Sequence, residues 1–190
     1  MTKPLLSDLD FEWAAKELQC EVAAIKAVAE VESGKSGFIS TGETAILFER
    51  HWFHRLLRRE NKPIPDDADI ALMKAGGYKG GVLEHHRLQK AVKYDRELAI
   101  QSASWGKFQI MGFHWKGLGY KSVQDFVNAM YRSERDHLDA FVRFIKADSR
   151  LIKAIREKNW AAFANAYNGP AYKKNQYDIK MRNAYYRYIR

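Results

Sequence analysis

Residues 21–34 read EVAAIKAVAEVESG, a predicted helix whose last turn carries a carboxylate on its apolar side. Val22, Ile25, Val28 and Ala29 recur at helical spacing. Glu32 lies one turn beyond Val28 and two beyond Ile25, so it shares their stripe. Glu30 falls on the other side, one turn after Lys26, where a surface ion pair is expected. Gly34 and Gly37 then end the helix. An apolar face strips water from Glu32, and the negative end of the helix dipole opposes its ionisation. Both effects keep the proton on near neutral pH, the state a general acid needs. A buried Glu paired with an Arg has the same spacing.

The chain downstream of this helix adds a second carboxylate. Residues 38–48 predict a β-hairpin turning at Thr41-Gly42, with Thr44-Ala45-Ile46-Leu47-Phe48 as its second run. Glu49 closes it and opens a helix over 50–60. A carboxylate at a helix N-terminus is favoured as the anion, so the two environments favour opposite protonation states. One acid and one carboxylate is the arrangement that glycosidic bond cleavage uses. As a helix-start residue alone, Glu49 would look the same.

The 190 residues are 46% apolar, enough for one ordinary globular domain with a real core. No stretch has membrane-spanning length, and residues 1–10 lack a signal-peptide pattern. Cys20 is the single cysteine, so no internal disulfide forms; between two helices it reads as a small buried hydrophobe. His51 and His54 are three apart and His85 and His86 adjacent, spacing that makes no metal site. The net charge of +9 is uneven: residues 131–190 hold 14 Lys and Arg against 6 Asp and Glu. A basic C-terminal third suggests an anionic partner, such as a lipopolysaccharide-coated membrane or another anionic polymer. Nucleic acid is disfavoured because none of its recognition motifs is present.

The remaining chain reads as helices. Ser7 or Asp8 caps the first, and Asp66 or Asp67 a short one through Met73. Gly76-Gly77-Tyr78-Lys79-Gly80-Gly81 is a surface loop, either a connector or a cleft rim with Tyr78 free to stack on a ligand. Helices follow over 83–94 and 95–102. Residues 102–112 are dense in small residues around Trp105, and Gln109 among hydrophobes must find hydrogen bonds from backbone or from a polar ligand. One long amphipathic region covers 122–147. Ser149 and Asn159 cap two more helices, the second stopped by Gly169-Pro170. The last spans about 175–189, mixing Tyr with Lys and Arg. Ile179, Tyr186 and Ile189 share its apolar spacing.

Four segments, in this order, carry a resemblance. Val31-Glu32-Ser33-Gly34 is similar to the catalytic Glu-Ser motif of soluble lytic transglycosylases and goose-type lysozymes. Ser104-Trp105-Gly106-Lys107-Phe108-Gln109-Ile110-Met111 resembles their Gly-Leu-Met-Gln-Ile segment, and Ala166-Tyr167-Asn168-Gly169-Pro170 their Ala-Tyr-Asn motif. Ala45-Ile46-Leu47-Phe48-Glu49-Arg50-His51, absent from those families, together with residues 102–106 resembles the N-acetylmuramidase family of bacteriophage endolysins. The resemblance covers essentially the whole chain, so residues 1–190 are expected to form one catalytic domain. It implies a mainly α, lysozyme-like fold with one small β-hairpin, acting on peptidoglycan at the β-1,4 bond after N-acetylmuramic acid. Glu32 would be the acid and Glu49 the first candidate for the second group, with Thr44 helping to hold water. Gln109 and Asn168 would bind N-acetyl or hydroxyl groups, and Tyr167, Tyr78 and Trp105 would offer ring faces, although Trp105 and Tyr167 also suit a core. No metal or cofactor is called for, and a monomer is expected. Without a signal peptide, the protein is expected in the host cytoplasm until a phage-made pore releases it to the periplasm or cell wall. A lytic transglycosylase on the same bond is the alternative. A non-enzymatic basic membrane- or nucleic-acid-binding protein is a remote one.

Overall fold

A computed structural model describes residues 3–33 and 36–190. In chain order the helices are α1 (Asp8–Leu18), α2 (Val22–Ser33), α3 (Arg50–Arg59), α4 (Val82–Val92), α5 (Arg96–Gln101), α6 (Val123–Arg132), α7 (Glu134–Lys146), α8 (Ser149–Arg156), α9 (Trp160–Asn168) and α10 (Tyr177–Tyr188). The strands are β1 (Ile46–Phe48), β2 (Ala103–Trp105) and β3 (Ile110–Met111). Contacts within the chain gather it into two compact units, Met1–Lys3 with Ser36–Ser133 and Pro4–Lys35 with Glu134–Arg190.

The second unit is helical. Ser7 starts α1, its backbone N–H and hydroxyl both donating to Asp10 Oδ2, at 2.9 and 2.8 Å. Gln19 turns left-handed after α1 (φ 53°) and leads into α2. Half-buried Cys20 lies at this junction, where burial pushes its thiol up to about 11. Ala24, Ile25, Ala27, Val28 and Ala29 of α2 are buried, and Glu32 continues the stripe of Ile25 and Val28. Gly34, expected to end the helix, lies outside the described residues. The many alanines let α10 pack close along α2, burying Met181 and Ala184. The expected apolar trio of α10 faces outward: Ile179, Tyr186 and Ile189 are 39%, 54% and 52% exposed. The expected Lys26–Glu30 pair is also absent. Lys26 bonds Asp8 at 2.6 Å, while Glu30 accepts from Arg187 and from the Tyr188 hydroxyl. Asp8 of α1 and Arg187 of α10 outcompete the local partner one turn away.

The region expected as one helix over 122–147 is broken at Ser133, whose backbone is extended (φ −160°, ψ 161°). Glu134 N–H, the first of α7, donates to Pro4 O at 3.1 Å, and the Glu134 carboxylate accepts from Leu6 N–H at 3.3 Å. The chain start thus supplies the partners of a fresh helix N-terminus.

In the first unit the sheet is three-stranded and antiparallel in the order β1-β2-β3, with Ile46 opposite Trp105, Phe48 opposite Ala103 and Trp105 opposite Ile110. The expected hairpin over 38–48 forms around a Phe38–Thr44 bridge, with Gly42 N–H donating to Ile39 O, Ile39 N–H to Glu43 O and Ala45 N–H to Gly37 O, each at 2.9 Å. Its second run goes on to pair with the small-residue segment 103–105, which seats the Trp105 ring in the core, 2% exposed. The helix expected from Asp66 or Asp67 to Met73 is a single turn around Asp67. Carbonyls that a helix needs there are taken by guanidinium groups. Arg50 donates to Ala68 O and Lys74 O, both at 3.0 Å, and Arg87 to Asp69 O at 2.7 Å.

Candidate active site

The surroundings of the Glu32 carboxyl are built within the second unit. Asn159 Oδ1 accepts from Ala162 N–H at 3.0 Å and starts α9, and Gly169-Pro170 stops it one residue after Asn168. That length brings the Asn168 amide to Glu32, Nδ2 donating to Oε2 at 3.1 Å. Glu32 Oε1 and Asn168 Oδ1 are both buried and have no hydrogen-bond partner among the described residues. Burial pushes the Glu32 carboxyl from its ordinary 4.5 up to about 7, against the opposing pull of the Asn168 hydrogen bond. The Arg partner that the spacing also allowed is not there: Glu32 makes no ion pair among the described residues.

Tyr167 lines this pocket from inside the protein. Its ring meets Phe141 and Phe144 edge-on, with centroids 5.6 Å away in each case, and stacks on Phe163 at 5.9 Å. Burial, then the nearby Glu32 charge, pushes the phenol well above its ordinary range. Three aromatic neighbours thus pack around the half-buried Tyr167 beside Glu32.

Glu49 lies in the first unit immediately before α3, yet its side chain makes no capping hydrogen bond. Instead the Tyr78 hydroxyl sits 2.8 Å from both of its oxygens, and His51 Nδ1 lies 3.1 Å from Oε2. Burial first, then this contact with Glu49, pushes the Tyr78 phenol up to about 12, so the hydroxyl keeps its proton and acts as donor. The surface loop over 76–81 is strapped down. Glu84, 0% exposed, accepts from Phe48 N–H at 2.9 Å and also from Lys79 and Gly80 N–H. One buried carboxylate therefore holds the residue before Glu49 and the residues after Tyr78. Arg87, 1% exposed, donates to Glu84 at 2.8 Å and to Phe48 O at 2.9 Å. Burial works against the Glu84 anion, but the N–H groups of Lys79, Phe48 and Gly80 and the Arg87 charge outweigh it and hold the carboxyl below its ordinary range. Gly77 has a left-handed backbone (φ 81°) in which any side chain would be strained.

Three other expected ligand-binding residues turn inward. The Thr44 hydroxyl is buried and donates to Met130 O at 2.6 Å, leaving no proton to hold a water. Trp105 Nε1 donates to Ile100 O at 3.1 Å, and its ring is core. Gln109 (φ 50°) answers its own question with backbone: Nε2 donates to Gly106 O at 2.8 Å and Ala45 O at 3.3 Å, while Oε1 accepts from Ser104 at 2.7 Å. It staples the β2–β3 turn to the start of β1. Glu84 and Arg87 were missed by sequence reasoning although the signal existed. With Leu88 and Ala91 they form an i, i+3, i+4, i+7 stripe, the same pattern that exposed Glu32.

A carboxylic acid kept neutral near pH 7, with one bare oxygen, is what cleavage of a glycosidic bond asks for. The helical fold with its small sheet puts the chain in the lysozyme-like class of glycoside hydrolases. The family profile of N-acetylmuramidases matches residues 21–189. The crystal structure of a Burkholderia AP3 phage endolysin is similar to this chain at a TM-score of 0.93 and 46% identity, over 97% of this chain and 70% of that one. No curated protein sequence matches. The chain belongs to the N-acetylmuramidase family and is a peptidoglycan-degrading glycoside hydrolase.

Proposed function

We propose that the chain hydrolyses the β-1,4 bond between N-acetylmuramic acid and N-acetylglucosamine with Glu32 as general acid, and that residues 1–190 act as one catalytic domain. The observation that carries this is a Glu32 carboxyl raised to about 7, with Oε1 unpartnered among the described residues. Asn168 occupies Oε2, which leaves Oε1 to carry the proton. That proton passes to the glycosidic oxygen as the bond breaks through an oxocarbenium-like transition state. The bare Asn168 Oδ1 is suited to accept from an N-acetyl N–H or a sugar hydroxyl.

Glu49 is the group that stabilises the cation or activates water, and Tyr78 is the positioning residue that orients it. The absence of a capping role for its side chain supports this, because both oxygens are held by a phenol instead. Glu49→Gln should lower kcat steeply with little change in KM, and Tyr78→Phe should do the same to a smaller extent. Unchanged kcat in Glu49→Gln removes the residue from the mechanism.

Mass spectrometry of the released muropeptides tests the reaction itself. Reducing ends are expected. Anhydro ends would mean that the muramic C6 hydroxyl attacks in place of water, the lytic transglycosylase alternative.

Similarity to a phage endolysin supports a role in host lysis, the protein waiting in the cytoplasm until it is released to the periplasm or cell wall. The basic C-terminus assists by adsorption to anionic envelope polymers. Lys173, Lys174, Arg182 and Arg190 support this, having no carboxylate partner among the described residues. Changing these four to Gln should weaken adsorption to cell envelopes and flatten its salt dependence, since salt screens such charges within about 10 Å at 0.1 M. Cleavage of small soluble fragments should be unchanged.

A further inference from the structure

Beside α2 lies a cavity of about 330 Å³ walled by Glu30, Val31, Lys180, Asn183 and Arg187. Val31 immediately precedes Glu32, and consecutive Cα atoms are about 3.8 Å apart, so the cavity opens next to the acid's own stretch of backbone. Lys180, Asn183 and Arg187 are spaced i, i+3, i+7 and so share one face of α10.

The charges in this cavity are unequally satisfied. Glu30 is doubly engaged, by Arg187 and by the Tyr188 hydroxyl at 2.9 Å. Only one nitrogen of the Arg187 guanidinium takes part in that pair. Lys180 Nζ sits 5.6 Å from the Tyr177 ring centroid and has no carboxylate partner among the described residues. The Asn183 amide likewise makes no hydrogen bond among them. A free ammonium, a free amide and a half-used guanidinium thus surround the half-buried aliphatic surface of Val31. Such a lining suits a carboxylate carried on a short aliphatic chain.

We propose that this cavity binds a carboxylate of the peptide stem that branches from the substrate's N-acetylmuramic acid. This rests on the muramidase mechanism above, because the stem hangs from the sugar whose glycosidic bond Glu32 protonates. An extended stem of three or four residues reaches roughly 10–14 Å, and one turn of α2 advances only about 5.4 Å. A stem of that length exceeds the rise of a whole turn of α2, whereas Val31 on the cavity wall is the residue next to Glu32. Binding remote from the scissile bond acts on ground state and transition state alike, so it lowers KM without changing kcat.

Lys180→Gln and Lys180→Arg test this on two substrates: soluble glycan fragments bearing their stem peptides, and the same fragments after an amidase has removed the peptides. For Lys180→Gln, KM on the peptide-bearing fragments should rise about three- to tenfold, the range for losing a charge-assisted hydrogen bond at a partly exposed site. Its kcat should stay, KM on the stripped fragments should stay, and Lys180→Arg should recover most of the loss. An equal change on both substrates, or none on either, overturns the proposal. So does reduced adsorption to whole envelopes with unchanged KM on fragments, which would give the cavity to a surface polymer. Failure of the underlying mechanism has a different signature: Glu32→Gln would still cleave the peptide-bearing fragments.

Discussion

Glu32→Gln is expected to lower turnover on peptidoglycan by about 100- to 10,000-fold, the usual value of general acid catalysis, and to leave the fold in place. Gln keeps the shape of the side chain and can still meet the Asn168 amide, but it has no proton to give. Glu30→Gln is the control. Its carboxylate bonds Arg187 and Tyr188, so its loss should leave turnover nearly unchanged. Retention of more than a tenth of the activity by Glu32→Gln would remove the acid from the mechanism. The same variant should behave differently in a stability titration. The folded protein keeps the Glu32 proton up to about pH 7, the unfolded chain only up to its ordinary 4.5. Between those values unfolding releases a proton, so wild-type stability falls as pH rises. Glu32→Gln lacks that loss. It should match the wild type below pH 4.5 and exceed it above pH 7, by at most about 3 kcal/mol. Thermal melts across this range would show the gap opening, and a gap of constant size would mean that Glu32 titrates normally.

Glu84→Ala should be the most destabilising single change in the first unit. It leaves Arg87, 1% exposed, with Asp69 alone as carboxylate partner, at 3.2 Å, and frees three backbone N–H groups. Breaking a buried ion pair from one side typically costs about 3–5 kcal/mol. In a chain of this size that corresponds to roughly 10 °C in melting temperature. The wild-type advantage should shrink in acid, because the Glu84 carboxyl is held below its ordinary 4.5 and its contribution disappears as pH falls through the lowered value. Hydrogen exchange at Lys79 and Gly80 should quicken markedly. Slow exchange there in the variant would mean that something other than Glu84 holds the loop.

The burial of Glu32 was legible because it obeys a local rule. A carboxylate on the stripe of Ile25 and Val28 is visible in twelve residues, and the helix starts at Ser7 and Asn159 were read the same way. The lysozyme-like, mainly helical class followed from four short motifs. What sequence reading misplaced depended on distant partners. β1 pairs with residues 103–105, more than fifty positions away, and no local pattern marks that register. Ser133 breaks a continuous amphipathic pattern because Pro4 and Leu6 take up the bonds of the new helix start. Lys26 and Glu30 have ideal spacing for each other, yet each finds a partner on another helix. Thr44, Trp105 and Gln109 were drawn toward a ligand by their polarity or ring area, and the sheet absorbs all three.

The second unit is stitched from the two ends of the chain, Pro4–Lys35 and Glu134–Arg190, and this gives the protein an order of assembly. The first unit is almost contiguous, over Ser36–Ser133, and can condense while synthesis continues, as domains generally do. α2 cannot. The helix that covers its alanine-rich face, α10, and the Asn168 that meets its carboxyl are both made more than 130 residues later. Contacts of such separation close slowly, because a long loop must be ordered before they form. The buried environment of Glu32 is therefore completed only after α9 and α10 have been made. A nascent chain interrupted before α9 carries the Glu32 carboxyl without the Asn168 amide that meets it.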